Sequence, residues 1–296
     1  EGSLVPAGTA RGEVESAAMA PPARLFDISF AKLSAFNQCR KKYWFRYVAY
    51  ARRDPDVMHP NALVGRAVHR ALKNLCVTGQ PEDGWSVLDS YLRMPGHESA
   101  GPGTAAYDDA LRFFAKGYEA HESIVSENRW AELPTGHRWN AGGIEVQAWL
   151  DRVDRISPDE MLIIDWKTGR VDIDDATDTQ LDIAHAMIRA AWKLPKEVRA
   201  TAIGWNLRTG EQRPRKLTRD HAAGTMRFLA GAAKRMQETT EFEATPSPLC
   251  RFCDFRLQCP DALEQTDWSD SDDTPGDGDD LFEPLEPADD DVLPFD

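Results

Sequence analysis

The sequence has no long apolar run, few cysteines and no basic residue near its C-terminus. No apolar stretch approaches the roughly 20 residues that a membrane-spanning helix needs. The N-terminus lacks the basic-then-apolar layout of a secretory signal. The 296 residues are 42% hydrophobic and 28% charged, a balance that is typical of a globular protein with a sizeable core. These features predict a cytoplasmic protein that has no membrane partner.

The net charge of −14 comes from one end of the chain. Residues 264–296 contain 14 acidic residues and no Lys or Arg, so the rest of the chain has 35 acidic and 35 basic residues. Segments dominated by Asp, Gly and Pro, or by Ala, Gly, Pro and Glu, bury too little apolar surface to fold. We therefore expect disorder in residues 1–24 and in an acidic tail, residues 261–296. The charge of the folded body, residues 25–260, does not exclude a nucleic-acid partner.

Apolar periodicity divides the folded body into helices followed by strands. Helical spacing is found in Ser29–Val48, Asn61–Val77 and Ala105–Ser123. The stretch "GIEVQAWLDRVDRI" then alternates apolar and polar residues, and "SPDE" joins it to "MLIIDWKTG", which predicts a β-hairpin. A helix at Thr179–Trp192, a second strand pair and a helix at Thr218–Glu238 follow. This order predicts an α/β or α+β core with a helical N-terminal part.

The predicted hairpin brings acidic residues onto adjacent strands. Asp151 lies on the first arm, and Asp165 and Lys167 share one face of the second. Converging carboxylates repel each other unless they share a proton or a cation, and their oxygens suit Mg²⁺ or Mn²⁺. Lys167 could then hold a water molecule or stabilise charge on a phosphate. The alternative is that Asp151–Arg152 and Asp165–Lys167 are ordinary exposed ion pairs at strand ends.

Three of the five cysteines lie within ten residues. Cys250, Cys253 and Cys259 have the spacing C-x2-C-x5-C, which in a cytosolic chain favours a metal site over disulfides. A fourth ligand must come from elsewhere, and Cys39 is the candidate. Four thiolates suit structural Zn²⁺ as well as an iron–sulfur cluster.

Basic and aromatic residues interleave in "NQCRKKYWFRYV". Such a pattern suits a path for single-stranded DNA, in which phosphates are neutralised and bases stack. The alternative is that the aromatic residues fill the core and the basic residues form a solvated face. The candidate DNA-binding residues are Arg40, Lys41, Lys42 and Arg46.

The order of these features resembles the RecB-like exonuclease branch of the PD-(D/E)xK nuclease superfamily. "VGRAVHRAL" is similar to the GxxxH helix of that branch, "AWLDRVD" to its G-x-I-D-x-x-D strand, "IIDWKTG" to its I-I-D-Y-K-(T/S)-G strand and "TQLDIAHA" to its Q-L-x-x-Y helix. The resemblance extends from about Ser29 to Pro260. It departs at Ala148, where the branch usually has Gly, and at Ala184, where Tyr is expected and His185 follows.

The resemblance implies a restriction-endonuclease-like α/β core, which is a mixed central sheet flanked by helices. It implies that Mg²⁺ or Mn²⁺ is bound by the Trp166 carbonyl together with three side chains, those of His69, Asp151 and Asp165. Asp154 would be the second acid of its strand.

The same resemblance gives catalytic roles to further residues. Lys167 would orient or activate the attacking water, and Gln180 would position Lys167 or the phosphate. A structural [4Fe–4S] cluster would join the two ends of the domain through Cys39, Cys250, Cys253 and Cys259.

These inferences predict a metal-dependent DNA nuclease. We expect an exonuclease that acts on single-stranded ends in recombination, repair or replication. A CRISPR-adaptation nuclease of the same layout and a non-cleaving DNA-binding module on the nuclease fold are the alternatives. The tail sequence "ADDDVLPFD" is weakly similar to the acidic tip of bacterial single-stranded-DNA-binding proteins, so a protein partner of the tail is a further expectation.

Overall fold

The computed structural model describes residues 25–53, 59–139, 142–169, 173 and 175–263, and leaves out the side chains of residues 132–139. The predicted disorder of residues 1–24 and of the tail from residue 264 onward lies outside the described residues. Within the described ranges, no helix is both long enough and apolar enough to cross a membrane.

After the short strand β1, five helices come first along the described chain, and the other strands follow. The α-helices are α1 (Phe30–Gln38), α2 (Arg40–Tyr43), α3 (Pro60–Thr78), α4 (Pro81–Leu92), α5 (Ala105–Ser123), α6 (Asp175–Ala191), α7 (Arg219–Glu238) and α8 (Pro260–Leu263). The strands are β1 (Phe26–Ser29), β2 (Asn128–Trp139), β3 (Ile144–Ser157), β4 (Glu160–Lys167), β5 (Arg199–Asn206) and β6 (Gln212–Leu217). A π-helical turn follows α2 at Trp44–Val48, and short 3₁₀ turns are at Glu98–Ala100, Pro248–Phe252 and Arg256–Gln258.

The six strands form one mixed sheet in the order β1-β3-β4-β5-β6, and β2 also pairs with β3. β1 and β3 are parallel, as are β4 and β5, and the other pairs are antiparallel. β4 and β5 can be parallel because α6 connects them across one face of the sheet.

Helices cover both faces of this sheet. On one face, α3, α4 and α5 pack against Ile164 and Trp166 of β4. On the other, α6 and α7 pack against β1 and β3, and α6 also contacts β4 and β5. The predicted fold class, a mixed central sheet flanked by helices with a helical N-terminal part, is therefore confirmed.

The structure divides the first predicted helix, Ser29–Val48, into three pieces. Ser29 caps α1 as its position suggests, because its hydroxyl accepts a hydrogen bond of 3.3 Å from the backbone N–H of Lys32. Cys39 then interrupts the helix in an extended conformation, with φ −162° and ψ 112°. Its sulfur accepts a hydrogen bond from the N–H of Lys42 and so caps α2. The interruption places the Cys39 thiol at a helix N-terminus.

Candidate active site

The end of β4 carries the acid and the amine that the sequence singles out. Side chains alternate along a strand, so Asp165 and Lys167 both reach Gln180 of α6, whereas Trp166 is buried in the core beneath α3. Lys167 lies opposite Asn206 of β5. The site is therefore at the carboxyl end of two parallel strands.

The alternation of side chains along β3 directs Asp151 toward this site. Leu150 packs into the core beneath α6, so the next residue, Asp151, points to the opposite side of the sheet. There Asp151 lines a small cavity on the α3 side, together with Leu72.

Asp151 joins α3 to the end of β4. Its Oδ1 lies 3.1 Å from Nδ1 of His69, and its Oδ2 accepts a hydrogen bond of 2.9 Å from the backbone N–H of Trp166. Gly65, one turn before His69, lets α3 come this close, because a Cβ there would lie 3.1 Å from Oγ1 of Thr168. The glycine of the GxxxH pattern thus has a steric basis.

Gln180 of α6 holds the other half of the site together. Its Nε2 donates to Oδ1 of Asp165 at 2.7 Å, and its Oε1 accepts from Nζ of Lys167 at 2.9 Å. Nζ also forms an ion pair with Oδ2 of Asp165 at 2.8 Å. The charges of His69, Asp151 and Asp165 act on one another, so the structure brings all five predicted site residues together.

Burial and neighbouring charges shift the pKa values of three side chains in the site, those of His69, Asp151 and Asp165. Burial lowers the pKa of His69, but the charge of Asp151 and the contact with it outweigh this effect and raise the pKa to about 9. Burial raises the pKa of Asp151, and the His69 charge and contact more than reverse this, so the pKa falls below its ordinary value. Burial, with the negative charge of Asp151, raises the pKa of Asp165. The site favours added positive charge.

The four cysteines predicted as ligands line one pocket near the C-terminal end of the described chain. The sulfur of Cys39 accepts backbone hydrogen bonds from Lys42 at 3.5 Å and from Thr245 at 3.4 Å. The sulfur of Cys250 accepts one from Ser247 at 3.5 Å. Backbone N–H donors of this kind stabilise negative charge on sulfur.

Burial is also the main influence on two of these thiols. It raises the pKa of Cys253, and the neighbouring Cys39 and Cys250 raise it further. It raises the pKa of Cys259 as well, which packs in a small core with Phe45 and Phe255. The two aromatic rings stack with their centroids 5.3 Å apart, and so join the N-terminal helices to the cysteine segment.

Across the described ranges, no three or more His, Cys, Asp or Glu side chains form a group that could hold a metal ion. At the acidic site, His69 and Lys167 are in contact with the carboxylate oxygens. The chemistry of each donor set still fits its expected group. Two neighbouring carboxylates, Asp151 and Asp165, suit Mg²⁺ or Mn²⁺, and four thiols around one pocket suit iron–sulfur or zinc.

A model of the family described as the PD-(D/E)XK nuclease superfamily matches residues 27–260. The chain belongs to the PD-(D/E)XK nuclease superfamily. This membership implies metal-dependent hydrolysis of phosphodiester bonds, with DNA as the substrate and Mg²⁺ or Mn²⁺ as the typical metal ion.

Other comparisons add little to the family match. No curated protein matches the chain. Among the solved structures that match is that of SSO0001, which has 14% sequence identity and a TM-score of 0.40, over 79% of this chain and 86% of that one. A likeness at this level supports no statement about the chain.

The second acid of the PD-(D/E)XK strand pattern, Asp154, lies in a buried network. Its side chain is fully buried and accepts hydrogen bonds from Arg152 at 2.5 Å, from Arg129 at 2.8 Å and from Ser126 at 2.8 Å. Donors within the protein therefore surround the carboxylate of Asp154.

The departure from the family pattern on α6 lies in the core. Ala184 and His185 are both buried, and Ala184 packs in the cluster beneath β3. Burial lowers the pKa of His185 to about 3, so the imidazole is neutral. One helical turn earlier, Gln180 is the α6 residue that reaches the site.

The basic and aromatic stretch lies beside the cysteine pocket. Tyr43 and Phe45 are buried, so for these two aromatic residues the core alternative is correct. Lys42 lines the pocket, and Lys41 lies over the ring of Trp44 at 5.1 Å. Arg40 is exposed, and Arg46 lies over the ring of Tyr47.

Trp149 is a candidate substrate contact that the sequence interpretation missed. Its side chain is 68% exposed, which is unusual for the largest apolar residue. It lies two residues before Asp151 on β3 and opposite in direction to Leu150, which packs beneath α6. The alternation in "AWLD" was the available signal, because it places the tryptophan on the same face as the aspartate.

Proposed function

We propose that the chain is a RecB-like, metal-dependent exonuclease that degrades single-stranded DNA from its ends in recombination, repair or replication. The observation that carries this proposal is the convergence of five side chains from four elements. They are His69 of α3, Asp151 of β3, Asp165 and Lys167 of β4, and Gln180 of α6. Residues 25–260 would form this nuclease domain.

Each of these residues has a distinct task in the proposed reaction. His69, Asp151 and Asp165 would hold Mg²⁺ or Mn²⁺, which supplies Lewis-acid polarisation of the phosphate and lowers the pKa of bound water. Lys167, whose side chain is 32% exposed, donates to the attacking water or to a phosphate oxygen as negative charge develops. Gln180 fixes that ammonium beside Asp165, although the lysine stem is flexible.

Degradation of end-labelled single-stranded DNA tests the proposed activity. The full chain is incubated with linear DNA and with a closed circle of the same sequence, in Mg²⁺, in Mn²⁺ or in EDTA. We expect the linear strand to shorten only when a divalent ion is present and the circle to stay intact, because an exonuclease needs an end. Cleavage of the circle would contradict exonuclease action. Binding without cleavage in either ion would favour a non-cleaving module.

We assign the four-cysteine pocket to a structural [4Fe–4S] cluster, with Zn²⁺ as the alternative. Three backbone N–H groups donate to the sulfurs of Cys39 and Cys250, which is how proteins tune cluster sulfurs. Cys39 and the other three ligands come from opposite ends of the domain. The cluster would therefore act as a staple between α2 and the C-terminal segment.

Replacing Cys250 with alanine should remove the brown absorbance of the purified protein and lower its melting temperature. The matched control is Cys76→Ala, because Cys76 lies away from the pocket and its pKa is raised to about 11 by burial. The ultraviolet–visible spectrum and the iron content of both variants give the result. If the parent protein is colourless and contains zinc, the pocket holds Zn²⁺ and not the cluster. A Cys250→Ala variant that is still coloured and equally stable would contradict the ligand assignment.

Two features support single-stranded DNA as the substrate. The first is the basic set next to the cysteine pocket, Arg40, Lys41, Lys42 and Arg46, which would neutralise phosphates. The second is Trp149, whose exposed indole can stack on an unpaired base. Stacking of this kind requires a base that has left the duplex, so it favours single strands.

We expect Trp149→Ala to weaken binding of single-stranded oligonucleotides by roughly 5-fold to 100-fold, since one base–aromatic stack contributes about 1–3 kcal/mol. Trp149→Phe keeps a stacking surface and should keep most of the affinity. Fluorescence anisotropy with labelled oligonucleotides measures both. Equal affinity of the alanine variant and the parent would remove Trp149 from the substrate path.

A further inference from the structure

The exposed side of α3 carries three basic side chains around the histidine of the candidate active site. Arg66 and Lys73 are three residues before and four residues after His69, so each is about one helical turn from it on the same side of the helix. Arg70 is the next residue after His69. All three basic residues are exposed, while His69 itself contacts Asp151. Positive charge therefore flanks the point where the site opens.

This basic ridge, Arg66, Arg70 and Lys73, has no opposing charge on its own helix. The sequence of α3, "PNALVGRAVHRALKNLCVT", contains no Asp or Glu. The helix thus differs from α4, which has Glu82, Asp83 and Asp89 and no basic residue. From Arg66 to Lys73 the ridge extends about 10 Å along the helix axis, which is long enough to contact more than one phosphate.

An open groove continues the ridge toward α4. Arg70, Lys73, Asn74, Val77 and Val87 line it, and the ring of Tyr91 supports the Arg70 guanidinium at 4.8 Å. The side-chain oxygen of Asn74 is buried there without a hydrogen-bond partner among the described residues. A buried acceptor in this position can take a hydrogen bond from an amino or hydroxyl group of a bound polynucleotide.

We propose that the basic ridge of α3 binds the phosphodiester backbone of the DNA strand on both sides of the bond that is cleaved. This inference rests on the proposed nuclease function and deepens it, because it states where the strand runs. The ridge is separate from the basic set beside the cysteine pocket. It contributes electrostatic affinity without base selectivity.

The test replaces all three ridge residues by glutamine, in a Lys167→Ala background that prevents cleavage. Binding of a labelled single-stranded oligonucleotide is measured by anisotropy at several salt concentrations. Each phosphate contact contributes about 0.7 to the slope of log K against log salt for single strands. Three lost contacts should therefore make the slope less steep by about 2, and single variants at Arg66 or Lys73 by about 0.7 each.

The matched control removes the same charge at the opposite end of the sheet. Lys193, Lys196 and Arg199 are exposed, and Arg199 pairs with Glu160 at the far end of β4 from Lys167, about 23 Å away along the strand. Their replacement by glutamine should leave the slope unchanged. The single variants provide the result if the triple ridge variant does not fold.

Two outcomes overturn the proposal while the nuclease function stands. One is that the parent protein, which keeps Lys167, degrades DNA, but the ridge variants leave the slope of log K against log salt unchanged. The other is an equal change in ridge and control variants, which would show a general effect of net charge. A parent protein that neither binds nor degrades DNA under any metal condition contradicts the proposed function itself, and the ridge proposal falls with it.

Discussion

Lys167→Ala is expected to lower the rate of DNA degradation by about 10²–10⁴-fold, the range found when an enzyme loses a proton-transfer group or a donor to developing charge. Lys167 donates to Gln180 at 2.9 Å and lies 2.8 Å from Oδ2 of Asp165. Alanine removes the ammonium and leaves the side chains of Asp151 and His69 in place. A single-turnover assay with excess enzyme measures the hydrolytic step without product release.

The control for this prediction is an exposed lysine that lies far from the site. Lys196→Ala, at the opposite end of the β4–β5 pair, should degrade DNA at the parent rate. Lys167→Ala should also unfold at a lower temperature than the parent, because the side chain of Asp165 is only 9% exposed and loses its ion-pair partner; the rates are therefore compared well below that temperature. A Lys167→Ala variant that retains a third of the parent rate would exclude the lysine from the hydrolytic step.

The parts of the site that sequence could predict are those that depend on local periodicity. Asp165 and Lys167 share a face because strand residues alternate, and the same rule sends Trp166 into the core. The approach of His69 to Asp151 over 82 positions did not follow from periodicity. It followed from the resemblance of ordered motifs, and the structure adds the steric reason at Gly65.

The feature that sequence could not predict is a break in regular structure. The apolar spacing continues through Cys39 as if one helix ran to Val48, but Cys39 has an extended conformation that ends α1 and begins α2. A long-range contact accompanies this break, because the Cys39 sulfur accepts a hydrogen bond from the backbone N–H of Thr245, 206 positions away. Local periodicity carries no information about a contact of this kind.

Asp154→Ala is expected to lower the free energy of unfolding by about 3–5 kcal/mol, the cost of removing one partner from a buried ion pair. Asp154 is fully buried, and Arg152 beside it is 2% exposed. Without the carboxylate, the Arg152 guanidinium stays buried with its charge uncompensated, and Arg129 loses its hydrogen bond of 2.8 Å as well. Urea denaturation, followed by fluorescence, measures the loss.

The same hairpin provides a matched control in Asp159, because its ion pair with Arg199 joins side chains that are 60% and 71% exposed. Asp159→Ala should change the free energy of unfolding by no more than about 1 kcal/mol. The comparison also separates the two roles that the strand pattern allows for Asp154. A structural residue loses stability in Asp154→Ala, and the folded fraction of the variant keeps its rate of hydrolysis. If Asp154 were a metal ligand, Asp154→Asn would instead have a normal unfolding curve and a rate of hydrolysis as low as that of Lys167→Ala. The unfolding curve and the rate together therefore decide whether this carboxylate belongs to the buried network or to the active site.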